Sequence, residues 1–271
     1  MTDSPLPPLL LIGCGKMGGA MLAGWLERGL TEAVVVEPNP AATAAFAGRV
    51  TVVDNPAAIP PGFRPAAVVL AIKPQEAAAT LPTLAHLVGP ETAFLSIMAG
   101  RNVAGMRTAL GGAAAVIRAM PNTPAAVRQG FTVAFPGPGV TAAQRGLADR
   151  LLSAIGEVAW VEEEGLIDPV TAVSGGGPAY VFLLAEVLEA AAIEQGLPPD
   201  LARRMARATV AGSGALLAAS PEDSAQLRKN VTSPKGTTER ALAVLMAPEA
   251  WPALMSKAIA AATDRSRELA G

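Results

Sequence analysis

The sequence predicts an α/β fold, a doubly wound parallel sheet followed by an all-α domain. Three observations predict it. A short apolar strand, Leu9 to Ile12, runs into the loop Gly13-Cys14-Gly15-Lys16-Met17-Gly18 and then into a helical pattern. Continuous apolar runs alternate with helical stretches through the first half of the chain. Runs of that kind suit parallel strands covered on both faces. From about Gly165 onward only helical patterning remains.

The elements follow in order. Leu9–Gly13 is the first strand, and Gly19 to about Arg28 the first helix. Ala33–Glu37, Ala66–Ile72, Ala93–Ile97, Ala114–Ala119 and Gly130–Phe135 are the next strands. Glu76–Val88 reads as helical. Helical segments between the early strands imply right-handed crossovers. Thr141–Ile155 is an amphipathic helix, and the extended piece Glu157–Val161 closes the first domain. Helices are then expected over Pro178–Gln195, Pro199–Ala218, Pro221–Asn230, Thr237–Met246 and Ala250–Leu269. The chain thus divides into 1–162, a dinucleotide-binding domain, and 163–271, a helical dimerisation and substrate-binding domain.

Composition narrows the function classes. Apolar residues make up 51% and aromatics only 4%, so alanine, valine and leucine must fill the interior. Net charge is −2 and no basic run occurs, which argues against a nucleic-acid partner. The one cysteine, Cys14, can form no internal disulfide, and no zinc-type cluster exists, so no metal is expected. That usage fits a reducing cytoplasm. Residues 1–8 lack the basic start and long apolar stretch of a signal peptide. The apolar run Ala179–Ala185 is soon broken by Glu186 and Glu189, so no membrane span is expected. A helix apolar on nearly all sides is buried, within one subunit or between two; a homodimer is the expectation.

The glycine loop is G-x-G-x-x-G in its required context of strand before and helix after. Gly13 permits the tight turn, Gly15 lets a pyrophosphate approach the backbone, and Gly18 lets helix and strand pack closely. Amides at the helix start, at Lys16 and Met17, face the phosphates. A Rossmann-type domain with NADPH or NADH follows. Glu37 ends the second strand, 24 positions after Gly13, near where an acid binds the ribose hydroxyls. A carboxylate there disfavours a 2′-phosphate and favours NADH, unless Asn39 or the helix end serves the phosphate. Asn55 joins the cofactor-binding candidates.

In such sheets ligands bind beyond the carboxyl ends of the strands. The segments there are Ala71 to Lys73-Pro74, Met98-Ala99-Gly100, and Met120-Pro121-Asn122 with Thr123-Pro124. All are candidates to border the cofactor. The second domain adds Ser174-Gly175-Gly176-Gly177-Pro178 and a hydroxyl-rich loop from Asn230 through Ser233, Gly236, Thr237 and Thr238. That loop reads as a carboxylate cradle or as mere helix capping. The single histidine, His86, is a surface or packing residue rather than a general base. No catalytic triad can be built around it. The chemistry must therefore need no strong base, as in hydride transfer to a protonated imine.

Together these segments resemble the pyrroline-5-carboxylate reductase family over nearly the whole chain. The resemblance rests on the glycine loop, Ala71-Ile72-Lys73-Pro74, Ser96 through Gly100, Arg118 through Pro124, Ser174 through Tyr180, and Leu227 through Thr238. It implies a Rossmann domain plus a helical dimerisation domain, often in rings of dimers. It implies reduction of (S)-1-pyrroline-5-carboxylate to L-proline by NADPH or NADH. It places Ser233, Gly236 and Thr237 on the substrate carboxylate, with Ser174, Gly175 and Asn230 also at the substrate. Thr238 lies near the ring nitrogen, and Thr238 and Ser233 are the catalytic candidates. Two departures stand out: Gly176 replaces a serine of the family pattern, and Lys235 replaces a glycine. The second implies that the backbone at Lys235 avoids positive φ. Rival readings are a different imine or 3-hydroxy-acid reductase, with Lys229 or Lys235 as acid or base, and a non-enzymatic dinucleotide sensor.

Overall fold

A computed structural model describes residues 5–270. Of the polar stretch 1–8, positions 1–4 lie outside the described residues. The chain forms two compact units: one runs to Gly175 and takes back the chain from Ala262 on, and the other is Gly176–Ala261.

The described part of the first unit holds a sheet of eight strands: β1 Leu9–Ile12, β2 Ala33–Val36, β3 Thr51–Val53, β4 Ala67–Leu70, β5 Ala93–Ser96, β6 Ala115–Met120, β7 Gly130–Pro136 and β8 Gly156–Trp160. Their order is β3-β2-β1-β4-β5-β6-β7-β8. The first six give the doubly wound order, with its switch point between β1 and β4. Successive residues of β1 feed opposite faces. Leu9 and Leu11 join the layer of Met21, Trp25, Val35, Leu151 and Ile155. Leu10 and Ile12 join Val34, Leu84, Phe94, Met106 and Val116. Both faces are covered, which is why the strands read as unbroken apolar runs.

The helices of this unit are α1 Lys16–Glu27, α2 Pro40–Thr43, α3 Ala77–Thr80, α4 Val103–Ala109, α5 Ala142–Leu152 and α6 Ile167–Val170. Trp25 of α1 is fully buried and its indole N–H donates to the Leu151 carbonyl of α5 at 2.9 Å. The helix expected over Glu76–Val88 is fragmented: α3 is four residues and Leu81–Leu87 is 3-10. Pro82 lacks the N–H that an α-helix would use there. β7 runs antiparallel to β6. Between them lies one short 3-10 segment, Thr123–Val127. A parallel crossover needs a dozen residues or more, so the chain must turn back.

The second unit is helical: α7 Gly177–Glu194, α8 Pro199–Ala219, α9 Ser224–Asn230, α10 Thr237–Leu245 and most of α11 Trp251–Ala270. Arg203 of α8 donates to Glu189 of α7 at 3.2 Å. No residue of α7 is buried within the chain, and Val181, Phe182, Leu183 and Val187 are exposed. By length and composition alone, the helical stretch 164–194 could cross a membrane.

Candidate active site

Register brings the expected loops into one row. Ile12 pairs with Val36 and with Leu70, and Leu70 pairs with Ser96. Gly13, Glu37, Ala71 and Ile97 therefore leave the sheet at the same level, on its carboxyl edge. β6 runs past that level, so Met120 to Asn122 stand further out.

Each glycine of the first loop has a distinct environment. Gly13 has φ +90°, and a Cβ there would lie 2.7 Å from the Ala71 carbonyl oxygen. Gly18 backs onto Gly13, and a Cβ at Gly18 would collide with the Gly13 carbonyl oxygen. Gly15 is the opposite case: a Cβ there meets nothing within 4 Å. It is exposed and caps α1 without any side-chain hydrogen bond. A backbone open to one side at a helix N-terminus can receive a phosphate group.

The open side is a cleft of about 480 Å³. Gly13, Gly15, Glu37, Asn55, Ala71 and Lys73 line it, as expected for cofactor-binding residues. Ile72, of the same Ala71-to-Pro74 segment, lines it as well; Asp54, Glu76 and Thr80 line it too, and sequence reasoning misses those three. Asp54 follows β3, a strand that the apolar pattern does not mark. Its only signal is an acidic Asp-Asn pair before a proline. A glycine backbone open at a helix N-terminus and an acid at the end of β2 are what a dinucleotide site would need.

Glu37 is held rigidly. One carboxylate oxygen accepts the Cys14 amide at 2.8 Å and the other the Asn39 amide at 2.9 Å. Cys14 is buried, and desolvation, then the Glu37 charge, pushes its thiol up to about 11. It stays a neutral thiol near pH 7, a filler and not a nucleophile.

Other candidates lie outside the cleft lining. Lys16 is exposed beside Gly15, Met17 packs against the core layer beneath the sheet, and Gly18 is buried against Gly13 and Ala71. Asn39 accepts the Ala41 amide and starts α2. Pro74 follows Lys73, whose amide donates to Glu76 at 3.1 Å. The Met98 side chain is 1% exposed and belongs to the core, while Ala99 is exposed. Gly100 has φ +63° and a Cβ there would lie 2.9 Å from Leu269 Cβ, a packing reason for glycine. Pro121 is buried. Asn122 donates to Ser174 Oγ at 3.1 Å and accepts the Phe131 amide at 2.9 Å. Gly175 lies against Met120, with its Cβ position 3.5 Å from Sδ. Ser174 and Gly175 end a π-helical turn, Thr171–Gly175, a geometry that widens the helix where functional groups often sit.

In the second unit, Ser233, Thr237 and Thr238 are exposed. Gly236 is the N-cap of α10 and no side chain caps it. The first amides of α10 and these hydroxyls therefore remain available to an anion, and routine capping does not account for them. Asn230 donates to Glu222 at 2.9 Å and accepts from Gln226 at 2.7 Å. Lys235 corrects the expectation for its backbone: φ is +61°, the left-handed region. The turn into α10 demands that conformation whatever residue stands there. Its cost for a non-glycine is about 1–2 kcal/mol. The Lys235 amide donates to Glu239 at 2.7 Å, which helps to hold the turn. His86 is exposed, with Nδ1 2.9 Å from the Thr83 carbonyl. Among the described residues no cluster could hold a metal ion.

Comparison with known proteins agrees with this layout. Residues 164–269 match the family described as pyrroline-5-carboxylate reductase dimerisation. Residues 9–100 match the family described as NADP oxidoreductase, coenzyme F420-dependent. The chain is 39% identical to the pyrroline-5-carboxylate reductase of Pseudomonas aeruginosa, over 97% of each chain. It is 33% identical to that of Pisum sativum, over 95% of this chain and 94% of the other. The solved structure of a pyrroline-5-carboxylate reductase from Coxiella burnetii superposes with a TM-score of 0.89 at 31% identity, covering 98% of this chain and 99% of that one. The Plasmodium falciparum enzyme, solved with NADP bound, has the same fold, with a TM-score of 0.84 at 24% identity over 99% and 100% of the two chains.

Proposed function

We propose, because this chain belongs to the pyrroline-5-carboxylate reductase family, that it reduces (S)-1-pyrroline-5-carboxylate to L-proline with NAD(P)H. The observation that carries the reading is a relationship spanning 97% of the chain, through both units. The enzyme takes a small-molecule substrate and self-associates through its helical region.

The roles of individual residues follow from their surroundings. The cleft at the carboxyl edge of the sheet holds the dinucleotide, with Gly15 under the pyrophosphate and Glu37 at the ribose. Lys16, Met17, Asn39, Asn55, Lys73 and Pro74 shape its rim, and the turns at Met98 to Gly100 and Met120 to Asn122 border the nicotinamide. When bound, the reduced nicotinamide supplies a hydride to the electrophilic C=N carbon. The substrate carboxylate is held by the open amides of α10 with Ser233, Gly236 and Thr237. Charge-assisted contacts of that kind are stronger than neutral ones. Thr238 donates to or accepts from the ring nitrogen and fixes its orientation. Ser174, oriented by Asn122, Gly175 and Asn230 complete the substrate site. The domains divide at 162/163 in function, nucleotide before and substrate after.

The finer assembly is a dimer, or a ring of dimers, formed through α7 and α8. The apolar face of α7 is read as a subunit interface and not as a membrane span, since the dimerisation family covers it. The working compartment is the cytoplasm, and no nucleic acid takes part. The test is oxidation of NADH, and separately of NADPH, by the purified oligomer with pyrroline-5-carboxylate. L-proline should accumulate in step with nucleotide consumed. No oxidation with either nucleotide would overturn the reading.

A further inference from the structure

We infer that this chain selects NADH over NADPH, with Glu37 as the discriminating residue; the inference rests on the cleft being the dinucleotide site. Glu37 leaves β2 in the same row as Gly13 and lines the cleft. Its two oxygens are pinned by the Cys14 and Asn39 amides. Each keeps a free lone pair, because a carboxylate accepts about four hydrogen bonds. A fixed acceptor pair at this place suits ribose hydroxyls. It repels a 2′-phosphate.

Among the described residues, no arginine lines the cleft to offset that repulsion. Asp54 adds a second acid to the same lining. The Asn55 amide group donates to Asp54 at 2.7 Å, and the Asn55 oxygen accepts from Ala57. At the start of α2, Pro38 and Pro40 have no amide hydrogen. The Asn39 amide is spent on Glu37, the Ala41 amide on Asn39 Oδ1, and the Ala42 amide on the Asn39 carbonyl. So neither Asn39 nor the helix end offers a phosphate a free backbone donor. Arg49, the first arginine after Glu37 in the sequence, is not among the residues lining the cleft, and after the larger effect of the Arg128 hydrogen bond it helps lower the pKa of Glu27. Glu27 ends α1, the opposite end from the glycine loop. The cation in the lining is Lys73. It follows β4, two strands from β2 in the sheet, or about 10 Å. That places it on the side of the cleft away from the ribose acid.

The experiment separates the adenosine end from catalysis. AMP and adenosine 2′,5′-bisphosphate compete with a fluorescent nucleotide on the intact oligomer, and NADH and NADPH are titrated directly. The wild type should bind AMP at least about tenfold tighter than the bisphosphate, and NADH over NADPH likewise, the scale of one charge-assisted hydrogen bond removed or opposed. Glu37→Gln and Glu37→Ser should shrink both ratios, and rising salt should shrink the wild-type ratio by screening. A purely structural role for Glu37 would weaken all four ligands alike. A wild type that binds NADPH as tightly as NADH overturns the inference, whether or not the variants fold. If it then still reduces pyrroline-5-carboxylate, the proposed function stands. Selective NADH binding without that reduction would leave the inference and remove the function.

Discussion

At the residue scale, the glycine loop makes two opposite predictions from one motif. A side chain at Gly15 projects into open space, so Gly15→Val should fold with stability within about 0.5 kcal/mol of wild type. It should nonetheless abolish nucleotide binding, read by fluorescence titration, because the space it fills is the one proposed for the pyrophosphate. Gly18→Ala places a carbon against the Gly13 oxygen and should cost about 1–3 kcal/mol in urea denaturation. Normal NADH affinity in a folded Gly15→Val protein would refute the assignment of the loop. Thr238 is exposed and uncommitted within its unit, so Thr238→Ala should leave the melting curve unchanged. It should lower turnover by roughly ten- to a thousand-fold if its hydrogen bond strengthens in the transition state; an unaltered rate would take Thr238 out of the mechanism. Several cleft residues that sequence makes visible carry their reason in their own type, a glycine in the loop or an acid at a strand's end. Asp54, Glu76 and Thr80 are invisible because their place comes from how strands align. Lys235 misleads for a related reason. Residue type predicts φ only where the surrounding turn leaves a choice.

At the scale of elements, strands buried on both faces are legible to within one or two residues, because burial writes continuous apolar runs. β3 escapes: it is three residues long, with Thr51 and Val52 exposed at the sheet's edge, so it carries no burial signal. The antiparallel turn of β7 is equally hidden, since strand direction depends on the connection and not on the strand. Tertiary contacts also decide how α11 ends. Arg118 of β6 is 2% exposed, 3.2 Å from Glu164 and 3.5 Å from Asp168. Asp168 accepts the Ser266 hydroxyl at 2.8 Å, and Asn102 donates to the Ala270 carbonyl at 3.1 Å. This network holds the last turns of α11 onto the first unit. Asp168→Ala leaves Arg118 with one anion and Ser266 without its acceptor, and should cost about 2–3 kcal/mol. Ser266→Ala removes one hydrogen bond and should cost about 1 kcal/mol. Amide hydrogen exchange over 262–270 should rise in both variants, more in the first. Equal costs would mean that the Arg118 charge is satisfied without Asp168.

For the whole molecule, the decisive feature is what the single chain leaves uncovered. α7 is 18 residues long and none is buried. Phe182 is 66% exposed, and with Ile193 it lines a groove between α7 and α8 whose charged members are Glu186, Glu189, Arg203 and Arg207. A soluble monomer rarely exposes so continuous an apolar face, and the region matches a dimerisation family. In a two-fold dimer the same patch meets itself, so one substitution acts twice. Phe182→Asp removes burial worth about 3 kcal/mol per copy and adds a charge to each side. Two copies lower the association constant by about four orders of magnitude or more. The variant should therefore run as a monomer by light scattering at micromolar concentrations where wild type is a dimer or larger. Its unfolding midpoint should lose the dependence on protein concentration that an associating protein shows. Reductase activity should fall with the oligomer if the paired helices are needed to hold the substrate site in shape. An unchanged mass for Phe182→Asp would move the interface off this face, and a wild-type monomer mass at every concentration would remove the dimer.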